Sequence, residues 1–327
     1  MTRHLRLAAP LALIALVVAL TGCQMGPSVS GSFDRTLDVS GPIRVELSNV
    51  SGDVNITGSS DGKIHVHGDV RVSGMGLGNT QKRLDELIAS PPVELKGSTL
   101  RVGKEMSHLH NASIAYTLEV PRETEVSASS VSGAVSIRSV RGPVQAESVS
   151  GSVHAQDIGR EVRLTSVSGS VEAENCGDDV RATSVSGSVT VTNAKGDVLA
   201  HSVSGDVHTN NPGGRVDANS SSGSVGVRAA NGDVKGHSSS GSVTVQGNPS
   251  GNSYWDLKTS SGTVEIAVPS DAKFHFSANA VSGQISAQIP IVIEEQGKHS
   301  LRAHIGDGGG RVEIHTVSGS IEVQGAQ

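Results

Sequence analysis

Valine recurs at every ninth residue through the middle of the chain. When residues 124–249 are divided into 14 units of nine, the third position is valine in every unit, and the fifth is mostly Ala, Val, Ile or Leu. Positions three and five are two residues apart, so they lie on one face of a β-strand. Each unit therefore predicts one strand, facing inward at positions 8, 1, 3 and 5, with a turn that resets the alternation.

The units pair into coils of 18 residues. The motif Ser-Val-Ser-Gly-x-Val, or a close variant, places glycine at Gly133, Gly151, Gly169, Gly187, Gly205, Gly223 and Gly241. Coils stacked at about 4.8 Å would supply each other's backbone hydrogen bonds. The predicted fold class is all-β: a single-stranded parallel β-solenoid (β-helix) whose coils contain two nine-residue half-repeats.

Two kinds of side chain stand out within the repeat. Serine fills positions seven and nine of alternate units and forms two unbroken columns, which we expect to hydrogen-bond along the stack. Cys176 occupies position eight, as do Val140, Val149, Ile158, Val167 and Val185. We therefore expect Cys176 to be a small buried apolar residue and not a reactive thiol.

The flanking regions follow the repeat less regularly. Residues 50–56 form one more unit, and the motif glycine returns at Gly262, Gly283 and Gly319. Residues 81–89 have helical character and predict a small α/β insertion or cap. The predicted organisation is a signal peptide (1–22), a tether (23–32), an N-terminal β segment with the helical insertion or cap (33–120), the regular solenoid (121–249), and its irregular continuation with a C-terminal cap (250–327).

The N-terminus has the pattern of an export signal. Arg3 and Arg6 precede a largely apolar stretch at residues 7–20, which is shorter than the roughly 20 residues that span a bilayer. It ends in Leu-Thr-Gly-Cys at residues 20–23, which resembles the lipobox of bacterial lipoproteins. The resemblance implies cleavage before Cys23, acylation of Cys23 with fatty acids such as palmitate, and a membrane partner through that anchor. Gln24, which is not Asp, favours the outer membrane over the inner membrane.

Composition narrows the possible functions. Aromatic residues make up 2% of the chain and the formal charge is -6, so neither a thick core of large rings nor nucleic-acid binding is expected. Acylation of Cys23 would leave Cys176, the other of the two cysteines, without a disulfide partner in the same chain. No cofactor is expected.

A family resemblance rests on a strand that ends in Val-Pro (residues 116–121), followed by Ser-Val-Ser-Gly-Ala-Val (residues 130–135). This pattern resembles the bacterial putative-adhesin family, whose members carry Ser-Gly-Asp-Val repeats on a β-solenoid. The resemblance covers roughly residues 43–323. It implies a cell-envelope protein, and some relatives are linked to envelope stress. The family has no catalytic residues to carry over.

Four histidines are weak candidates for a metal site. His65 and His67 are two residues apart on a predicted strand and face the same way, and His108 and His110 repeat this spacing. Imidazoles are common ligands of transition metals. Solvated surface histidines are the preferred interpretation, because no carboxylates cluster near them in the sequence.

A column of acids interrupted by arginine suggests a second possible ion site. Its members are Glu161, Asp179, Asp197, Arg215 and Asp233. A calcium-binding β-roll requires a Gly-Gly-x-Gly-x-Asp repeat, which is absent. Ordinary turn chemistry of Asp beside Gly is the preferred explanation.

The sequence therefore predicts a lipid-anchored, non-catalytic binding or structural module with an adhesin-like role and an unknown protein or glycan surface partner. An envelope-stress or assembly scaffold that acts through protein partners is the alternative. A polysaccharide-active enzyme and a binder of an ordered lattice such as ice are less favoured, because nucleophile motifs are absent and known lattice binders prefer Thr to Ser.

Overall fold

The computed structural model describes residues 28–74, 77–103 and 111–326. It confirms the all-β solenoid: two long sheets face each other, and the chain passes from one to the other at every half-coil. Within the described residues, one helix, α1 (Leu77–Ala89), accompanies the strands. Of the described residues, none belongs to a helix with the length and apolar character needed to cross a membrane.

Strands are numbered in chain order. In spatial order, the first sheet contains β1 (Ser28–Asp38), β4 (Lys63–Ser73), β7 (Ala112–Pro121), β3 (Val54–Ser59), β9 (Val135–Arg138), β11 (Val153–Ile158), β13 (Val171–Cys176), β15 (Val189–Ala194), β17 (Val207–Asn210), β19 (Val225–Ala230), β21 (Val243–Gly247), β23 (Val264–Val268), β29 (Ile321–Gly325) and β25 (Ile285–Ala287). The second contains β26 (Val292–Gln296), β27 (Ser300–Ile305), β24 (Phe274–Ser282), β28 (Gly310–Ser318), β22 (Tyr254–Thr259), β20 (Val234–Ser238), β18 (Val216–Ser220), β16 (Val198–Ser202), β14 (Val180–Ser184), β12 (Val162–Ser166), β10 (Val144–Ser148), β8 (Glu125–Ser132), β2 (Arg44–Ser51), β6 (Thr99–Val102) and β5 (Val93–Lys96).

The repeat spacing sets the strand register. Val153 lies beside Val171 in the first sheet, and Val162 lies beside Val180 in the second, both in parallel pairs. Each residue therefore lies next to the one 18 positions later. The third-position valines form the core: all of those between Val126 and Val243 are 3% exposed or less. Full burial of a valine side chain contributes roughly 1.5–3 kcal/mol, so the column supplies much of the driving force for stacking.

One part of the inward-facing pattern was wrong. Position eight is buried in the half-repeats that end first-sheet strands, where Val140, Ile158 and Cys176 are at most 1% exposed. In the other half-repeats the same position is on the surface, and Val149 is 46% exposed and Val167 42%. The two corners of the coil differ in backbone geometry. A pattern averaged over all nine-residue units cannot show this difference in side-chain direction.

Antiparallel strands and the helix cover the N-terminal end. β4 pairs antiparallel with both β1 and β7, and Leu84 and Leu87 of α1 are buried. The predicted helix is confirmed and begins four residues earlier than expected, at Leu77. The predicted tether (23–32) overlaps β1, which begins at Ser28 and pairs antiparallel with β4.

The coils at both ends are not stacked in sequence order. Near the N-terminus, the coil made of β2 and β3 lies between the later coil β6–β7 and the regular coil β8–β9. Near the C-terminus, the final coil β28–β29 lies between β22–β23 and β24–β25. The motif glycines therefore stack as Gly262, Gly319 and Gly283, whereas the sequence order suggested that Gly283 would follow Gly262.

Candidate binding surface

The Ser-Val-Ser-Gly motif forms one corner of each regular coil, which we call the serine corner. At Ser166, the hydroxyl donates to the carbonyl oxygen of Gly151 in the preceding coil at 2.9 Å and accepts from the amide of Gly169 at 2.9 Å. The same pair of bonds is made by Ser148, Ser184, Ser202, Ser220 and Ser238. The seventh-position serine thus closes its own turn and links it to the coil below.

Glycine is required at this corner because two backbones meet there. A Cβ atom added to Gly169 would lie 2.1 Å from the carbonyl oxygen of Gly151, and one added to Gly187 would lie 2.1 Å from that of Gly169. Any side chain would therefore push the coils apart. The repeated glycine marks the closest approach between successive turns.

The serine bond varies at the ends of the stack. Thr259 replaces serine and donates to Gly241 at 2.8 Å, so a hydroxyl is retained. At the other end, the amide of Asn49 donates to the Gly52 carbonyl at 2.7 Å. The buried Ser130 hydroxyl, which lies next to Asn49 in register, has no partner among the described residues.

Because the serine side chain points inward, the residue after it must point outward. In six successive coils the residue after this inward side chain, which is Asn49 in the first of them and serine in the others, is an exposed valine, between 39% and 51% accessible. We call this line the valine ridge; its members are Val50, Val131, Val149, Val167, Val185 and Val203. At about 4.8 Å per coil, five steps give a length of about 24 Å. Exposed serines at position nine flank it, including Ser150, Ser168 and Ser186.

The ridge presents little charge. In three neighbouring coils the corner is Ser-Val-Ser-Gly-Ser, at residues 148–152, 166–170 and 184–188. Methyl groups and hydroxyls therefore repeat along one line with no ionic side chain among them. A contiguous apolar line of this kind is less common on protein surfaces than single exposed valines, and such surfaces often mark interaction sites.

The opposite corner, which we call the asparagine corner, contains a column of left-handed residues. Asn175, Asn193 and Asn211 have φ values of 53°, 56° and 52°. Their amides form a ladder, in which Asn193 donates to Asn175 and Asn211 donates to Asn193, each at 2.9 Å. Asparagine tolerates this backbone conformation better than most residues do. Ser139, Asp157 and Ala229 continue the column, with φ between 56° and 58°.

The acidic column has a structural role at the same corner. The carboxylate of Asp179 accepts from the backbone amide of Asp197 at 2.8 Å, and that of Asp197 accepts from the amide of Arg215 at 2.8 Å. Asp233 binds the amide of Tyr254 in the same way. These carboxylates bind the next coil's backbone, which supports turn chemistry over a calcium site.

An open groove runs along the outer face of the second sheet beside this column. Its volume is about 740 Å³, and its lining mixes acids with Arg163, Arg181 and Arg215. Arg163 and Arg181 lie side by side in register. The groove therefore carries charges of both signs, in contrast to the uncharged valine ridge.

Two of the four histidine candidates, His65 and His67, lie within the described residues, both on β4. His65 lies 2.9 Å from Asp61, whereas His67 lies 2.8 Å from Asp34, so each imidazole has its own carboxylate. The hydrogen bond to Asp34 raises the pKa of His67 above its usual value. The pKa of the Asp61 carboxyl is lowered by a hydrogen bond from the Lys63 amide and then by His65. His108 and His110 lie outside the described residues.

A different histidine group converges near the C-terminal end. Among the described residues, His275, Glu294 and His304 place one potential ligand atom each within 4.8 Å of the others. Hydrogen bonding, chiefly from His304, lowers the pKa of the Glu294 carboxyl. The sequence analysis missed this group because its members come from three strands, and no short spacing connects them.

Of the two cysteines, Cys176 lies within the described residues and Cys23 does not. Cys176 is 1% exposed, as expected, and burial followed by the nearby Asp157 carboxylate raises the pKa of its thiol to about 12. Such a thiol is almost entirely protonated at neutral pH and is a poor nucleophile. Cys23, the predicted acylation site, lies outside the described residues.

The chain is similar to known proteins over the region of its solenoid. A family model described as Toastrack DUF4097 matches residues 102–255 and 250–324, which is more than half of the chain. Among solved structures, the chain is similar to a "putative cell adhesion protein" from Clostridium sporogenes, with 12% sequence identity and a TM-score of 0.25. That alignment covers 91% of this chain and 100% of the other. None of the curated proteins matches significantly.

Proposed function

Because this chain belongs to the Toastrack DUF4097 family, we propose that it is a non-catalytic, adhesin-like binding module of the bacterial cell envelope, anchored by lipid at Cys23. The single observation that carries the binding role is the valine ridge, which repeats one uncharged apolar group in six successive coils. Weak contacts repeated along a rigid line add through effective concentration, so the array suits a repetitive partner.

The proposed partner is a protein surface and not a glycan. Glycan binding commonly uses exposed aromatic rings, but Trp255, Tyr116 and all three phenylalanines are at most 3% exposed, and Tyr254 alone is accessible at 40%. Aliphatic methyl groups pack well on apolar protein side chains. The ridge therefore favours protein–protein contact.

The proposed location follows from the N-terminal sequence. The lipobox at residues 20–23 and Gln24 favour an acylated Cys23 held in the outer membrane. Several acyl chains anchor a protein stably, whereas a single chain does so only marginally. Only a few residues separate Cys23 from β1, which begins at Ser28. The solenoid would therefore stand close to the membrane surface.

Adding charge to the ridge tests the binding role. Cells that carry Val149→Lys, Val167→Lys and Val185→Lys together should attach to protein-coated surfaces about tenfold less than wild type, because three exposed methyl positions become cationic. The matched control adds three lysines to the outer face of the first sheet, at Gln156, Thr190 and Thr192, which are half-exposed. Equal attachment by both variants and wild type would remove the ridge from consideration. Loss of binding only on glycan-coated surfaces would make the partner a glycan.

A second experiment tests the location. An epitope tag placed after Gln327 should be removed by protease added to intact cells if the protein is displayed at the surface. Removal only after the envelope is opened would place the solenoid inside, which would favour the scaffold role over adhesion. Radiolabelled palmitate should enter the wild-type chain but not a Cys23→Ala variant.

A further inference from the structure

Three strands at the C-terminal end bring two imidazoles and a carboxylate to one point. His275 on β24 lies directly opposite His304 on β27 in an antiparallel pair. Phe274 and Phe276, on either side of His275, are buried, as is Ala303, which precedes His304. Both imidazoles therefore project from the outer face of the second sheet, and their ring centroids are 5.4 Å apart.

A β-bulge supplies the third group. Along β26, Ile293 pairs with Ala303 and Glu295 pairs with Arg302, which leaves Glu294 as the extra residue. A bulge re-aims the side chain at such a position. Glu295 and Arg302 form an ion pair at 3.1 Å. Glu294 reaches the two histidines.

The distances suit a bound metal ion. The Oε1 atom of Glu294 lies 2.9 Å from Nδ1 of His304 and 3.5 Å from Nδ1 of His275. Zinc bonds of about 2.0–2.2 Å in a tetrahedral arrangement place ligand atoms about 3.3 Å apart. The two imidazole ligand atoms also lie within 4.8 Å of each other, so one ion could contact all three side chains.

We propose that His275, Glu294 and His304 form a binding site for a divalent transition metal ion, with Zn²⁺ as the best fit. Two imidazoles and one carboxylate are a ligand set that zinc accepts, and solvent would complete the coordination. This outer face is exposed, with the His275 side chain 54% accessible, so an ion can enter directly.

The alternative is an ion-paired surface cluster, and the chain contains an internal comparison for it. His65 and His67 show the ordinary arrangement, in which no carboxylate is shared: His65 contacts Asp61, whereas His67 contacts Asp34 and, at 3.3 Å, Asp69. Around Glu294, by contrast, two imidazoles share one carboxylate, and three potential ligand atoms converge on one point within the described part of the chain.

A bound ion would connect the three strands at one edge of the second sheet. β26 is fully exposed and pairs only with β27 in the described sheet. The ion would connect β26 through Glu294, β27 through His304, and β24 through His275. Metal binding would therefore protect the edge strand that ends the second sheet, a position where unpaired backbone invites aggregation.

The test uses the full chain, purified in detergent without a polyhistidine tag and stripped of metal. Titration with Zn²⁺ against a chromophoric chelator should show one saturable site per chain, and Co²⁺ should give a d–d absorption band. The variants His304→Ala and Glu294→Gln should each weaken zinc binding by at least about tenfold. Zinc should also slow amide hydrogen exchange in β26 of the wild-type chain, but not in β26 of the His304→Ala and Glu294→Gln variants.

His315→Ala is the matched control, because His315 is exposed on the neighbouring strand β28 of the same sheet. It should leave zinc affinity and the exchange of β26 unchanged. All substitutions are at accessible positions, and circular dichroism melts check that each variant is folded. The absence of a saturable site, or an equal loss of affinity in His315→Ala, would overturn the proposal.

Discussion

The hydroxyl of Ser166 donates to the carbonyl oxygen of Gly151 in the preceding coil at 2.9 Å. Ser166 is fully buried, and its oxygen also accepts from the amide of Gly169. The serine that begins the Ser-Val-Ser-Gly motif therefore links two coils and does not lie on the surface.

Ser166→Ala should lower the free energy of unfolding by about 1–3 kcal/mol, because it leaves a partly buried carbonyl and a partly buried amide without their partner. Chemical denaturation monitored by circular dichroism measures the change. Ser166→Thr should retain most of the stability, since Thr259 makes the same bond in its own coil. Ser168→Ala, at an exposed position, should change stability by less than about 0.5 kcal/mol. Equal stability of all four proteins would rule out the linking role.

Gly169→Ala should destabilise the solenoid by at least about 1–3 kcal/mol, because the new Cβ would lie 2.1 Å from the Gly151 carbonyl oxygen and force two coils apart. Thermal melts compare this variant with Gly325→Ala, where the nearest atom would be 3.6 Å away. Similar melting temperatures for both variants would contradict the close backbone approach.

Ala229→Asn should stabilise the protein by roughly 1 kcal/mol, because alanine is strained at its φ of 56° and an asparagine could extend the amide ladder from Asn211. Ala229→Gly separates the two effects, since glycine relieves the strain without adding an amide. Asn193→Ala should cost about 1–2 kcal/mol. If Ala229→Asn gains no more than Ala229→Gly, the ladder itself contributes nothing.

The pKa of His67 should lie above its usual value of about 6.5 in an NMR titration, and Asp34→Asn should lower it. A raised folded-state pKa stabilises the fold below pH 6.5 or so, and this contribution disappears as the pH rises through the folded value. The stability lost on Asp34→Asn should therefore be larger at pH 6 than at pH 9. Asp69→Asn should have a smaller effect, because Asp69 lies 3.3 Å from the ring. A pH-independent difference would contradict the assigned ion pair.

The regular coils could be predicted from sequence because each depends on local spacing. Valine at every ninth residue identified the core, and the 18-residue interval gave the register that pairs Val153 with Val171. The direction of Val149 could not be predicted from that average, because it depends on whether Ser148 turns inward to reach Gly133. Side-chain direction at a corner follows from a hydrogen bond to another coil, which no short window of sequence contains.

The site at Glu294 was beyond sequence reasoning for a related reason. His275 and His304 meet only because β24 and β27 pair antiparallel, and Glu294 joins them only because of a bulge in β26. Long-range register of this kind depends on the way the irregular strands after Ser250 fold back. The same strands decide that Gly319 stacks between Gly262 and Gly283.

The intercalated end coils determine how this molecule would respond to mechanical load. In a solenoid stacked in sequence order, a pulled terminus peels away one coil at a time, and each step breaks a single ladder. Here a pull at the N-terminus would first strip β1 and would then reach β2 and β3, which are paired on both sides. A pull at the C-terminus would meet β28 and β29, which are likewise paired on both sides. Pulling a strand of either intercalated coil out of its sheet must break the hydrogen-bond ladders on both of its sides at once. The intercalated coils should therefore make each end more resistant to unfolding under tension.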